Sequence, residues 1–203
     1  MRKIYWIVSV VVVISLVYSF SSTDKKKVSK DYVTRIMEAR QAKDEYFESG
    51  KDSPIKDKKA FHGLHYYIPD AGYRVRATLE VSPKPEMLEM PTSNGKNESY
   101  IKYGYVEFNL LGKKHRLLVM KKEPKDKILF IAFTDQTTGE ETYGAGRYLD
   151  VPLVNGNEAN VILDFNQAYN PYCAYNESYV CPMPPQENHM EVAVRAGEKA
   201  EKH

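Results

Sequence analysis

Apolar and polar residues change their spacing once along the chain, from a helical period to a strand period. Between residues 29 and 50 apolar residues recur every three or four positions, which predicts an amphipathic helix that begins after a Ser29 cap and ends at Gly50. Its apolar stripe comprises Tyr32, Val33, Ile36, Met37, Ala39, Tyr46 and Phe47. Ser53-Pro54 resembles a second helix start, since proline fits the first helical position, and this short helix would run toward Phe61.

Alternation of apolar and polar residues predicts β-strands in the rest of the chain. The predicted strands are 73–81, the two arms of a 105–120 hairpin around Gly112-Lys113, 128–135, 160–165 after an Asn155-Gly156 turn, and 190–198. Residues 128–135 are apolar on both faces, which is typical of a central strand. The prolines of 82–85 and the polar residues of 91–99 are predicted to interrupt the strands.

The order of these elements predicts the fold class. Because no crossover helices separate the strands, they are expected to pair mostly antiparallel. The predicted fold is therefore α+β and sheet-dominated, with one or two N-terminal helices followed by about seven or eight strands in a sandwich or barrel-like arrangement.

The first 21 residues have the pattern of a targeting segment. Arg2 and Lys3 precede an uncharged run from Ile4 to Phe20, and a basic start before an apolar core is typical of signal peptides. Cleavage after residues 19–21 is one alternative. Retention as a membrane anchor is the other, since about 17 helical residues span roughly 25 Å. We predict an exported domain, periplasmic or on the outer face of the cytoplasmic membrane, although the lysines at 25–27 oppose that orientation.

The charge balance argues against a nucleic-acid partner. Removal of Arg2 and Lys3 from the 29 basic residues leaves 27, which equals the 27 acidic residues. A neutral domain lacks the basic surface that nucleic-acid binding requires. Gly144-Ala145-Gly146 is followed by Leu149 where a dinucleotide-binding loop needs its third glycine, and no other cofactor motif is present, so no cofactor is predicted.

Cys173 and Cys181 are the two cysteines of the chain. In an exported protein such a pair favours a disulfide, which would stabilise this small loop by about 2.5 kcal/mol. The alternatives are unpaired structural cysteines, a zinc site completed by His189 and Glu187, or a reactive thiol beside His189 or Arg147. Structural zinc sites usually contain cysteines two to four residues apart, and this spacing is absent, so no metal is predicted.

Polar residues and glycines cluster where predicted strands end, and they form a candidate ligand-binding surface. Its members are Tyr143, Gly144, Gly146, Arg147, Asp164, Asn166, Asn170, Glu187 and Asn188. Loops at strand ends commonly carry binding groups, and the planar guanidinium of Arg147 suits the carboxylate or phosphate of a small anionic ligand. The alternative is that these side chains satisfy backbone groups in irregular loops.

Three segments carry a family resemblance. FTDQTTGEETYGAGRYLDVP, LDFNQAYNPYCAYNESYVCPMPPQEN and VAVRAGEK resemble the bacterial family catalogued as domain of unknown function 1684. The resemblance covers roughly residues 60–199 and implies a bacterial, extracytoplasmic setting. This domain would follow a stem and helix at 22–59 and precede a disordered tail at 200–203. The resemblance implies no catalytic residue, because the activity of the family is not established.

Three functions remain open at this point. The leading hypothesis is an extracytoplasmic envelope domain that binds a small ligand or a partner, attached to the membrane if its first residues are retained. The second is a hydrolase in which Asp164 or Glu187 acts as general base and Arg147 stabilises an anion. The third is a purely structural envelope protein whose polar motifs hold the loops in place.

Overall fold

The computed structural model of the chain describes residues 30–153 and 159–201. The predicted targeting segment, the first part of the stem, the Asn155-Gly156 turn and the last two residues of the predicted tail lie outside these ranges. Within them, no helix is both long enough and apolar enough to cross a membrane.

One helix, α1, covers residues 30–49, as the apolar period predicts. Its buried residues are Tyr32, Ile36, Arg40 and Phe47, whereas Met37, Ala39 and Tyr46 of the predicted stripe are exposed. The buried face includes Arg40 because α1 packs on polar loops as well as on apolar side chains. The guanidinium of Arg40 donates hydrogen bonds to the carbonyl oxygens of Tyr67 at 2.8 Å and Asn166 at 3.3 Å.

The predicted second helix is wrong. Residues 51–65 form turns and irregular backbone. Ser53 does not cap a helix there; its hydroxyl donates to the carbonyl oxygen of Phe47, near the end of α1, and accepts from the backbone N–H of Ile55. The serine therefore closes a turn after α1.

The described residues form seven strands in one sheet. These are β1 (Arg74–Pro91), β2 (Asn97–Leu110), β3 (Lys113–Lys121), β4 (Ile128–Asp135), β5 (Arg147–Pro152), β6 (Asn160–Asp164) and β7 (His189–Met190). The strand order is β5-β4-β3-β2-β1-β6, all antiparallel, with β7 added parallel to β4. Because β5 and β6 at the two ends of this order also contact each other, the sheet is nearly closed into a barrel. The predicted sheet-dominated α+β class is confirmed.

Two strands are longer than the sequence predicts. β2 begins at Asn97, within the 91–99 stretch that is predicted to interrupt the strands and before the predicted start of the hairpin at residue 105. β1 continues through the prolines of 82–85 with a register shift between Val81 and Glu86, so the interruption is a bulge. This half of β1 has an open edge, because β6 pairs only with Arg74 to Thr78, and proline is tolerated on strand edges. The β2–β3 turn lies one residue earlier than predicted, with positive φ at Leu111 and Gly112.

The C-terminal strand predicted at 190–198 is largely wrong, since only His189 and Met190 pair with β4. The remainder of the segment still belongs to the core. Val192, Val194 and Ala196 are buried among the side chains inside the barrel, together with Leu149 and residues from every other long strand. The interior is a packed core, which places any ligand site on the outside of the sheet.

Candidate functional site

A cavity of about 570 Å³ lies on the outer face of the sheet, beneath the segment that contains the two cysteines. Six aromatic rings line it: Tyr100, Phe130, Tyr148, Tyr169, Tyr172 and Tyr179. Three charged side chains, Lys43, Glu98 and Asp150, share its walls, and so does Cys181. We refer to this feature as the outer cavity.

Strand alternation produces the floor of the outer cavity. On β5, Leu149 and Val151 face the barrel core, so Tyr148 and Asp150 face outward. Phe130 of β4 lies directly opposite Asp150 in the strand register. The Phe130 ring meets the edge of Tyr148 at a centroid distance of 4.8 Å and stacks on Tyr100 of β2 at 5.6 Å. The floor is thus a continuous aromatic surface with one carboxylate.

Residues 169–182, which we call the cover, lie over this floor, and β5 holds the cover near both of its ends. Tyr148 and Tyr169 exchange two backbone hydrogen bonds, at 2.8 and 3.0 Å. The Tyr148 hydroxyl also donates to the carbonyl oxygen of Pro182 at 2.6 Å. Within the cover, Tyr172 and Tyr179 make an edge-to-face contact at 5.2 Å. The cavity is therefore preformed without a covalent bond across the loop.

The three charged side chains of the cavity differ in their partners. Lys43 forms a salt bridge with the buried Glu198, and Glu98 forms one with Lys122. Asp150 forms no salt bridge with any residue that the structure describes; its carboxylate accepts one hydrogen bond, from the Tyr169 hydroxyl at 3.1 Å. Desolvation by the surrounding rings raises the pKa of Asp150, although the side chain stays open to the cavity mouth.

Cys173 and Cys181 are free thiols, so the predicted disulfide is not formed in the structure. The backbone N–H of Cys173 donates to Sγ of Cys181 at 3.3 Å, and the two thiols interact by a hydrogen bond instead of a covalent bond. Donation from Cys181 lowers the pKa of Cys173 to about 6 and raises that of Cys181 itself. The contacts of Tyr148 described above supply the anchoring that the disulfide was expected to provide.

Arg147, the predicted anion-binding residue, is fully buried. Its guanidinium forms a salt bridge with Asp135 at 2.8 Å and donates to the carbonyl oxygens of Val194, Ala196 and Glu198. These contacts fasten the C-terminal segment to the barrel. The side chain therefore has no open face toward solvent with which to meet an anionic ligand.

Asp164 and Asn166 attach α1 to the end of β6. The Tyr32 hydroxyl donates to both carboxylate oxygens of Asp164, at 2.7 and 2.9 Å, and accepts from the Asn166 amide at 2.9 Å. Asn166 also holds Asp70 by hydrogen bonds to its backbone N–H and carbonyl groups. Both side chains are buried, and this network serves the docking of the helix.

Asn170 and Asn188 also bind backbone. Asn170 is buried, and its amide nitrogen donates to Lys199 O at 2.8 Å while its backbone N–H donates to the Glu198 carboxylate. Asn188 is buried between β3 and β4, where it bonds to both backbone groups of Leu118. Glu187 beside it is exposed and accepts a hydrogen bond from the Tyr105 hydroxyl at 2.9 Å.

Tyr143, Gly144 and Gly146 precede β5. The Tyr143 hydroxyl donates to Sγ of Cys173 at 3.9 Å, and Gly144 is exposed. Gly146 has a φ of 89°, and a Cβ there would lie 2.6 Å from the carbonyl oxygen of Phe133. The glycine permits the tight turn that delivers Arg147 into the core.

The structure does not bring the nine predicted residues together. The contacts of Asp164, Arg147 and Glu187 share no residue, so the predicted hydrolase constellation is not assembled. Of the residues that the structure describes, none of these nine lines the outer cavity. Two observations in the sequence point to the cavity: its 16 tyrosines, and the Tyr148-x-Asp150 spacing that places a ring and a carboxylate on one strand face.

Comparisons with known proteins agree with this description of the fold. The family model described as "Protein of unknown function (DUF1684)" matches residues 59–199. Among solved structures, the solution NMR structure of an uncharacterised protein from gene locus rrnAC0354 of Haloarcula marismortui is 35% identical, with a TM-score of 0.68 over 85% of this chain and 96% of that one. The comparison with curated proteins gave no match. The chain belongs to the DUF1684 family.

Proposed function

We propose that this chain is a non-catalytic ligand-binding domain of the cell envelope and that the outer cavity holds its ligand. The cavity itself carries the proposal. Its volume of about 570 Å³ lies within the range of small-molecule sites, roughly 300–1,000 Å³. Ligand sites in proteins are typically lined by apolar and aromatic groups with a few polar ones, which is the composition of these walls.

The way the cover is held supports binding of a ligand without a large rearrangement. Tyr148 fixes the cover through its backbone and through its hydroxyl. Binding to a preformed site loses little free energy, because few protein groups have to become ordered. Most tyrosine hydroxyls around the cavity bond to protein groups, which leaves ring faces as the principal binding surface.

The envelope setting rests on the sequence of the first 20 residues. A basic start followed by an uncharged apolar run supports export or attachment to the membrane. A ligand-binding domain in that position would meet small molecules outside the cytoplasm. The choice between cleavage and retention of the segment affects where the domain is held and leaves the cavity unchanged.

Blocking the cavity tests the proposal. Val180 lines the cavity and is 51% exposed, so Val180→Trp adds bulk at the cavity without disturbing the core. We expect a thermal-shift screen of a mixed library of small cations, anions and neutral compounds to give saturable stabilisation of the full-length chain by about 2–4 °C at saturating ligand. In Val180→Trp the stabilisation should fall to less than half.

Val81→Trp is the matched control, because Val81 is 41% exposed and lies on β1 outside the cavity. This variant should bind every confirmed ligand as the wild type does. Ligands that stabilise Val180→Trp as much as Val81→Trp would place binding elsewhere and contradict the proposal.

A further inference from the structure

We infer that the ligand of the outer cavity is a small organic cation of the quaternary ammonium type, with Asp150 as its counter-ion. This inference rests on the proposed function, since it names the class of ligand for the same site. The observation behind it is the juxtaposition of an unpaired carboxylate with a surface of aromatic rings.

Charge pairing leaves the cavity with one unsatisfied negative group. Lys43 is neutralised by Glu198 behind it, and Glu98 is neutralised by Lys122 at the rim. Among the charged groups lining the cavity, Asp150 alone forms no salt bridge with a described residue, and Lys43, the cation that acts on it, is already paired with Glu198. Asp150 is reachable from the cavity mouth, and a carboxylate beside rings is stabilised by a cation placed directly against it. The remaining charge of the site is therefore negative.

The rings around Asp150 favour the same class of ligand. Aromatic faces attract cations through their quadrupole, and aromatic cages bind quaternary ammonium groups by this effect. Two rings of the cavity already attract ammonium groups of the protein: Lys43 Nζ lies 4.9 Å from the centroid of Tyr169, and Lys122 Nζ lies 4.5 Å from that of Tyr100. Phe130 lies directly opposite Asp150 in the sheet and adds an apolar ring without a hydroxyl group.

Three of the five tyrosine hydroxyls around the cavity already donate to protein groups and are not available to an anion. The hydroxyls of Tyr100, Tyr148 and Tyr169 donate to Glu98, to Pro182 O and to Asp150. A carboxylate or phosphate entering the cavity would meet Asp150 and would have to displace these bonds. A quaternary ammonium group requires no hydrogen-bond acceptor at all, so it leaves each of these contacts in place.

The pH dependence of binding follows from the surroundings of Asp150. The titratable groups that face it are Tyr169 from the cover and Lys43 from α1. Burial raises the pKa of Tyr169, so this phenol stays neutral, and Lys43 remains engaged with Glu198. Desolvation also raises the pKa of the Asp150 carboxyl. Affinity for a cation should therefore be full where Asp150 is ionised and should fall with pH through that raised pKa.

Choline and its neutral carbon isostere 3,3-dimethylbutan-1-ol test the inference, because they share one shape and differ in charge. We expect calorimetric titration of the full-length chain at about pH 7.5 to show choline binding at least about tenfold more tightly than the isostere. Asp150→Asn should weaken choline about tenfold and leave the isostere unchanged. Glu107→Gln is the control, because Glu107 is a surface carboxylate outside the cavity that is paired with Lys114, and this change should alter choline binding by about twofold at most.

Each outcome separates this inference from the proposed function. Equal binding of choline and the isostere would overturn the cation class while supporting a ligand cavity. No binding of choline would overturn the inference. The Val180→Trp screen would still test separately whether the outer cavity binds a ligand of another class. Choline binding that survives Asp150→Asn unchanged would remove Asp150 as counter-ion. A choline affinity that falls as the pH is lowered in the wild type but stays level in Asp150→Asn supports the assignment, because protonation of the carboxyl removes the counter-ion.

Discussion

Two aspartates on neighbouring strands have opposite surroundings. Asp135 at the end of β4 is buried against Arg147 and also accepts hydrogen bonds from Thr137 and from the backbone N–H of Val194. Asp150 on β5 accepts one hydrogen bond from a phenol. The first carboxylate has no capacity left for a ligand, because its charge and its lone pairs are used inside the protein. The second retains that capacity.

The buried pair leads to a prediction on stability. Arg147→Met leaves the Asp135 carboxylate buried without its cation and removes the bonds to the C-terminal carbonyls, so we expect a loss of about 3–5 kcal/mol in the free energy of unfolding. Urea denaturation followed by far-UV circular dichroism measures it.

Arg195→Met is the control for this experiment. Arg195 pairs with Glu141 on the surface, where the two side chains are 58% and 38% exposed. Its loss should leave the free energy of unfolding close to that of the wild type, because exposed ion pairs are screened by water. Equal losses in the two variants would show that Arg147 is not the structural residue described above.

At the scale of elements, β3 and β4 diverge and an asparagine side chain fills the gap. The two strands share a single register pair, Met120 and Phe130. Asn188 donates to the carbonyl oxygens of Leu118 and Ala132, at 3.0 and 2.9 Å, and accepts from the Leu118 N–H at 2.7 Å. One side chain thus replaces part of the pairing between β3 and β4 and keeps the sheet continuous at this point.

Asn188→Ala should destabilise the domain by about 2–4 kcal/mol, because it leaves three buried backbone groups without a partner. Amide hydrogen exchange should show faster exchange at Leu118 than in the wild type. Asn109→Ala, an exposed position near the end of β2, serves as control and should change the stability by about 0.5 kcal/mol at most. Unchanged exchange at Leu118 would refute the bridging role.

Predictability from the sequence differs between elements for physical reasons. α1 and β4 are predicted correctly, because a regular apolar period identifies each of them. The sequence does not predict β5, because Arg147 and Asp150 interrupt its apolar pattern. The strand forms because it pairs with β4 on one side and hydrogen-bonds to Tyr169 of the cover. The C-terminal segment has an alternating pattern but no strand partner for most of its length, so it packs in the core as irregular chain.

The candidate site could be predicted less well than the fold. The sequence indicates Arg147, Asn166 and Asn188 as binding residues, because polar groups at strand ends often bind ligands. In the structure each of them instead satisfies buried backbone groups or a buried charge. The outer cavity depends on a long-range contact between β5 and the segment around Tyr169. No local sequence pattern encodes such a contact, although the outward-facing Tyr148 and Asp150 contain a partial signal.

At the scale of the whole molecule, the N-terminal segment and the free thiols can be tested together. If the domain is exported, we expect fractionation of native cells to recover it with the periplasm or the membrane, and intact mass to report whether residues 1–21 are removed. Alkylation should label both Cys173 and Cys181 whether or not the protein is first reduced, because both are free thiols in the structure. Recovery in the cytoplasmic fraction alone would refute export, and labelling that requires reduction would contradict the free thiols.

The position of the outer cavity has a consequence for how related proteins diversify. Five of its six rings belong to a cluster on the outer face of the sheet that shares no residue with the packed interior of the barrel. Exchange of a ring or of Asp150 therefore leaves the interior packing intact, and the cover can change in length without altering the barrel. We therefore expect relatives that keep the interior of the barrel to differ first at the residues of the outer cavity.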